Sequence, residues 1–353
     1  MKQVHFNKRT EIQAPARLSR RTFFRQSAAG IAAASLGAHL EVVGAESPSP
    51  SGQFPPRKMK ICLSPRLVGL NVKIADLIPL AAQYGFEGID PMIEELATLS
   101  ESAVDQLRET IKKQGLVVGP ANIALPIGKS QEEFAAWLGD LPGLAAVLQR
   151  VGCNRIVNFV KACDANLTYL ENFRVHTRRL REIASVLDDH GFYLGLEYIG
   201  PKINWTRQRY PFIHTLKEFK ELLTETDKNN IGFLLDSWHW YCAGETAADI
   251  LSLRKEQIVC VHLNDAPAGI PVDQQIDSKR ALPASTGIID ISGFLGAVLQ
   301  LGYAGPVVVE PCDAELNKLP TDQKLQKVID SVGKAFNAAG SPVKGSPAQR
   351  AAN

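Results

Sequence analysis

From Met59 onward the chain alternates short apolar runs with longer amphipathic stretches. Apolar runs of roughly four to eight residues between turn residues read as strands, whereas apolar positions three and four apart form one face of a helix. The pattern predicts strands at Lys60–Ser64, Gly85–Asp90, Leu116–Asn122, Arg155–Val160, Tyr193–Glu197, Gly232–Asp236, Ile258–Leu263 and Val307–Glu310. Between them it predicts helices over stretches such as Val72–Tyr84, Glu101–Gln114, Glu133–Arg150, Glu171–His190 and Leu216–Thr226. Gly85, Gly115, Gly152 and Gly191 follow helical stretches, where a left-handed cap suits glycine. Eight strands alternating with helices predict an α/β fold, a single-domain (β/α)8 TIM barrel. A doubly wound open sheet is the competing architecture, but no GxGxxG follows the first strand and no P-loop is present.

Four of these strands end in a potential metal ligand: Leu194-Gly195-Leu196-Glu197, Phe233-Leu234-Leu235-Asp236, Val259-Cys260-Val261-His262 and Val307-Val308-Val309-Glu310. In a parallel barrel the carboxyl ends of all strands converge on one face. Glu197, Asp236, His262 and Glu310 would then come from the fifth to eighth strands, neighbours around the ring. One such residue is ordinarily a cap or a solvated side chain; four in register point to one cation site. Three carboxylates and an imidazole suit Mn2+, Co2+ or Mg2+ and tolerate Zn2+. Their formal charge is −3, so a divalent ion relieves their mutual repulsion.

Weaker candidates surround this set. His239 sits between Trp238 and Trp240 after the sixth strand, either as a donor to substrate hydroxyls beside aromatic platforms or as part of a packed lid. Lys202, Arg207 and Arg209 follow the fifth strand, as an anion site or a solvated basic loop. Asn264 and Asp265 either orient His262 or cap a turn. Asp90 and Asn122, ending the second and third strands, face the same mouth.

The first 45 residues read differently. Arg20-Arg21 precedes the weakly apolar run Ile31–Gly37, and Val43-Gly44-Ala45 supplies small residues for cleavage. This is a twin-arginine export signal, too short for a membrane span, and it predicts a periplasmic or otherwise exported protein. Residues 46–58 then form a flexible linker, 59–338 the catalytic barrel and 339–353 a loose tail. The chain carries 39 Lys+Arg and 37 Asp+Glu; removing the seven and three of residues 1–46 leaves 32 and 34. The mature protein is slightly acidic, so neither a nucleic acid nor a membrane partner is expected. The six cysteines form no CxxC pair and read as buried free thiols.

The segments Leu196-Glu197-Tyr198-Ile199-Gly200-Pro201-Lys202, Leu235-Asp236-Ser237-Trp238-His239-Trp240, Val261-His262-Leu263-Asn264-Asp265 and Val309-Glu310-Pro311 together resemble the sugar phosphate isomerase/epimerase superfamily. The resemblance spans roughly residues 59–335. It implies a xylose-isomerase-like TIM barrel, metal binding by Glu197, Asp236, His262 and Glu310, and substrate contacts from His239 and Arg280. The group includes ketose 3-epimerases and inosose dehydratases. Its ketose epimerases often carry a further substrate-binding glutamate shortly after the first metal glutamate; Ile203 stands there here, a departure that weakens transfer of their specificity.

Such a site suits proton abstraction beside a carbonyl, with the metal as Lewis acid and Glu197 and Glu310 as paired acid and base. Returning the proton to the other face epimerises, moving it to the next carbon isomerises, and expelling a β-substituent makes a dehydratase or lyase. Export disfavours sugar phosphates and points to a keto-sugar or an oxidised glycoside such as a 3-keto-glycoside. The expected partner is a small carbohydrate, with a homo-oligomer possible. A non-catalytic periplasmic sugar-binding barrel is the alternative from another class. A repair endonuclease of the same architecture would need more histidines than the five that follow the leader, and a basic face. Serine hydrolysis has no GxSxG to support it.

Overall fold

Strand pairing in the computed structural model, which describes residues 57–343, follows chain order around one parallel sheet. The segment read as a twin-arginine signal, the expected linker up to residue 56 and the expected tail from 344 lie outside the described residues. The first strand (Lys60–Leu63) pairs with the second (Gly88–Ile89) and with the eighth (Pro306–Val309). The fourth (Arg155–Val160), fifth (Tyr193–Tyr198), sixth (Ile231–Asp236) and seventh (Ile258–Leu263) follow one another and end against the eighth. The third strand comes in two pieces: Val117–Val118 pairs with the second strand and Ala121–Asn122 with the fourth. Gly119 and Pro120 separate them. Proline donates no backbone hydrogen bond, so the continuous strand expected over Leu116–Asn122 is split at this point. Because one short segment pairs with both neighbours, the sheet closes into the eight-stranded barrel.

A helix follows each strand: Ile74–Gln83, Glu101–Lys113, Gln131–Val151, Tyr169–Asp189, Leu216–Thr226, Ala247–Leu251, Ile291–Gln300 and Thr321–Ala338. Ser130 and Glu133 form a reciprocal capping box at the start of the third, and Gly152 closes it at φ 96°. Helix Ile291–Gln300 is buried on nearly every side, so its sequence carries little amphipathic signal.

Alternation along the strands separates two apolar layers. Ile61, Phe233, Leu235, Val261 and Val307 face outward into the large core shared with the helices. Cys62, Val157, Leu234, Cys260 and Val308 form a small cluster inside the barrel. Side chains repeat every second residue, so the position two beyond each inward residue also points into the barrel, one layer nearer the mouth. That rule carries Cys62 to Ser64, Leu234 to Asp236, Cys260 to His262 and Val308 to Glu310. Gly195 stands two before Glu197, and a Cβ there would meet the Val259 Cβ at 2.9 Å. Glycine is therefore required where the irregular register of the seventh strand, between Ile258 and Cys260, brings Val259 against it.

The edges of the domain are tied together. Arg57 pairs with Glu87 at 2.5 Å, and its backbone N–H donates to Ser341 Oγ at 3.2 Å. Ser341 and Val343 are buried. Residues 339–343, expected to be loose, are therefore held against the domain, and Arg57 is anchored rather than part of a free linker. All six cysteines are free, three of them buried. No helix among the described residues is long and apolar enough to cross a membrane.

Candidate metal centre

Glu197, Asp236, His262 and Glu310 each offer one ligand atom, and the four atoms lie within 4.8 Å of one another. His262 Nδ1 is 3.0 Å from Glu310 Oε2 and 3.8 Å from Asp236 Oδ2. The first three residues are buried and Glu310 is partly open. Glu197 Oε1 is buried with no hydrogen-bond partner. An unpaired acceptor sealed from water is costly, so this atom fits a bound cation. Burial pushes the Glu197 carboxyl up to about 7, with His239 pulling against the rise and Asp236 and Glu310 adding to it. Burial also opposes ionisation of Glu310, but Arg280 and then His262 outweigh it and hold that carboxyl down at about 2.

Arg280 occupies the centre of this charge pattern. Its Nη1 lies 3.0 Å from Asp236 Oδ2 and 3.2 Å from Glu310 Oε2, and its Nη2 is 2.8 Å from Asp277 Oδ1. Its guanidinium carbon lies 5.5 Å from the centroid of the Trp238 ring. Trp238, expected to face the sugar, is fully buried and supports Arg280 instead. His239 is also fully buried. Gly200 N–H donates to its Nδ1 at 3.2 Å, which turns Nε2 toward Glu197 Oε2 at 3.3 Å. The adjoining carboxylate favours imidazolium, whereas the Gly200 donor favours a neutral ring protonated on Nε2.

The neighbours of His262 do other work than expected. Asn264 is hydrogen-bonded to Asp236, not to His262, and Ser237 Oγ accepts from Asn264 N–H at 2.8 Å. The Asp265 carboxylate accepts four backbone N–H groups, from Ala266, Thr286, Gly287 and Ile289, and so fixes the loop that follows Arg280. His262 is oriented by Glu310.

A cleft of about 400 Å³ opens over the cluster, lined by Glu197, Arg280 and Glu310 with Phe159, Lys161, Asn204, Arg207 and Asp277 among others. Lys202 does not line it; the side chain reaches Asp273 at 2.6 Å on an exposed flank. Arg209 lies against the Tyr210 ring. Ile203 is exposed, with no carboxylate in its place. Phe159 and Lys161 stand at the carboxyl end of the fourth strand, a position the strand-end pattern could have flagged, whereas Asp277 lies in a loop and only folding brings it to the cleft. A recess of about 540 Å³ around Phe173 and Lys220 lies on the outer helices, away from the four ligands.

Residues 78–333 match the family model described as xylose isomerase-like TIM barrel. The chain belongs to that family. Inosose isomerase of Halalkalibacterium halodurans is 25% identical over 278 residues, covering 77% of this chain and 95% of the relative. 3-Dehydroshikimate dehydratase of Pseudomonas aeruginosa is 29% identical over 143 residues, 40% of this chain but 21% of the relative. Among solved structures, a xylose isomerase domain protein from Alicyclobacillus acidocaldarius superposes with a TM-score of 0.69 at 30% identity, covering 80% of this chain and 99% of that one. The IOLI protein with a bound zinc atom shares the fold at TM-score 0.68 and 18% identity, over 81% of this chain and all of that one. The named relatives are an isomerase and a dehydratase, and this chain too is an enzyme. The non-catalytic sugar-binding barrel finds no support among them.

Proposed function

We propose that the protein is a divalent-metal-dependent isomerase or epimerase acting on a keto-sugar, exported by the twin-arginine route. The observation that carries this reading is the convergence of three carboxylates and an imidazole on one point, with Glu197 Oε1 buried and unpaired beside them. Glu197, Asp236, His262 and Glu310 would hold the ion, whose mostly hard donors suit Mn2+ or Co2+, with Mg2+ or Zn2+ also accepted. Bound there, a divalent cation supplies positive charge that polarises a carbonyl and offsets negative charge developing on its oxygen.

The remaining chemistry belongs to side chains of this chain. Glu197 and Glu310 line the cleft from the fifth and eighth strands, three steps apart around the ring. One removes the proton from the carbon beside the carbonyl and the other returns it. His239 holds Glu197 from behind, and Arg280 presents its guanidinium to substrate oxygens and to Glu310. Phe159, half-exposed on the rim, offers apolar surface to a bound sugar. A lyase on keto-sugars or 3-keto-glycosides is the second reading, favoured by the identity with a dehydratase segment. It uses the same proton abstraction and ends in loss of a β-substituent.

The test is deuterium uptake at carbon by NMR, with metal-loaded protein in D2O and free ketoses or 3-keto-glycosides. The expected result is metal-dependent exchange that Glu197→Gln or Glu310→Gln abolishes, the labelled product reporting whether the outcome is epimerisation, isomerisation or elimination. Bound metal with no exchange on any of these sugars overturns the proposal.

A further inference from the structure

The half of the barrel mouth opposite the metal ligands is also built. A recess of about 230 Å³ opens at the ends of the first three strands, and Ser64, Arg66, Asn71, Asp90 and Asn122 supply its polar lining. Strand register connects it to the cleft. Cys62 pairs with Val308, so two residues on Ser64 stands beside Glu310; Leu63 pairs with Ile89, so Ser64 also stands beside Asp90. Ser64, part of the recess lining, thus stands next to Glu310, which lines the cleft.

Three features mark a ligand surface rather than packing. Asp90 Oδ1 is sealed from solvent with no hydrogen-bond partner. Met92, in the same wall, holds a left-handed backbone at φ 49° and ψ 60°, a strain of the kind retained at binding sites. Arg66 is exposed and lines the recess together with Asp90 and Glu94, so the lining offers both a charged donor and carboxylate acceptors. No aromatic side chain lines the recess, which leaves a flat aryl group without a stacking face. Proline and aliphatic surface between the polar groups suits the C–H faces of a sugar ring.

We propose that this recess is a second sugar subsite, in which Ser64, Arg66, Asp90 and Asn122 bind the hydroxyls of a ring joined to the one held at Glu197 and Glu310. The substrate class is then a two-ring keto-glycoside rather than a single free ketose. This rests on the sugar-isomerase reading of the metal cleft.

Calorimetry on the full metal-loaded chain tests it with unreactive probes: cellobiose, sucrose and trehalose against methyl glucoside. At least one disaccharide binds about tenfold or more tighter than the monosaccharide, about 1.4 kcal/mol. That ratio collapses toward one in Arg66→Ala and in Asp90→Asn, each verified as folded by thermal melting. Equal affinity for all four probes, or a disaccharide preference that survives both substitutions, overturns the subsite. The readout needs no turnover, so it is independent of the exchange experiment: free ketoses exchanging deuterium with no disaccharide preference would sink the subsite alone.

Discussion

Asn264 Nδ2 lies 2.7 Å from Asp236 Oδ1 and 2.9 Å from Oδ2, so one amide group donates across both oxygens of a buried carboxylate. Trp238 N–H donates to the same Oδ1 at 2.6 Å. Together they fix the plane of Asp236 before any ion arrives. Removing a partner of this kind typically weakens metal binding about 10–100-fold. Asn264→Ala is therefore expected to lower metal affinity by that factor in a competitive chelator titration, with the fold retained. An unchanged affinity would show that Trp238 and Arg280 alone suffice to orient Asp236.

The four ligands were legible because period-two alternation operates on each strand separately, and each ligand stands two beyond an inward residue. Contacts between strands were not. Asn264 lies two residues after His262, and only the packing of the seventh strand on the sixth turns its amide to Asp236. Lys202 looked like a substrate cation by adjacency to Glu197, yet the turn after Pro201 sends it to Asp273. Trp238 looked like a sugar platform, and burial makes it the support of Arg280. The third strand read as continuous because Gly119 and Pro120 interrupt hydrogen bonding without interrupting the path of the chain.

Asp265 stabilises the loop behind the cleft through four backbone N–H groups. Hydrogen bonds to a charged acceptor contribute about 1.5–3 kcal/mol each, and buried donors left unpaired add a penalty. Asp265→Ala is expected to cost at least about 3 kcal/mol in denaturant unfolding, with faster amide exchange over residues 284–289. A loss below about 1 kcal/mol would mean that water replaces the carboxylate without strain.

Asp90 gives a pH signature. Burial pushes its carboxyl from 3.8 up to about 7, with Ser64 pulling against the rise. The folded state therefore binds this proton more tightly than the unfolded chain. The stability it contributes is full below about pH 3.8 and is lost as pH rises through about 7. In chelator-treated protein, Asp90→Asn should melt higher than wild type at pH 8. The difference should shrink as pH falls below about 7 and vanish near 4. A difference that stays constant across this range would show that Asp90 ionises freely in the folded state.

Gly200 positions His239 through the backbone. Its N–H is the donor to Nδ1, and a Cβ at this residue would come within 2.3 Å of the His239 carbonyl oxygen and 3.1 Å of Ala243 N. Both obstacles are main chain, so Gly200→Ala must displace the short helix Ser237–Cys242 that carries His239. Displacements of about 1 Å near reacting groups can cost about 100-fold in rate. The expected result is a fall in kcat/KM of about 10–100-fold. If Gly200 acts through His239, the double variant Gly200→Ala/His239→Ala loses little more than His239→Ala alone, because both remove the same support for Glu197. Losses that multiply instead would show that Gly200 shapes the cleft by a route independent of the imidazole.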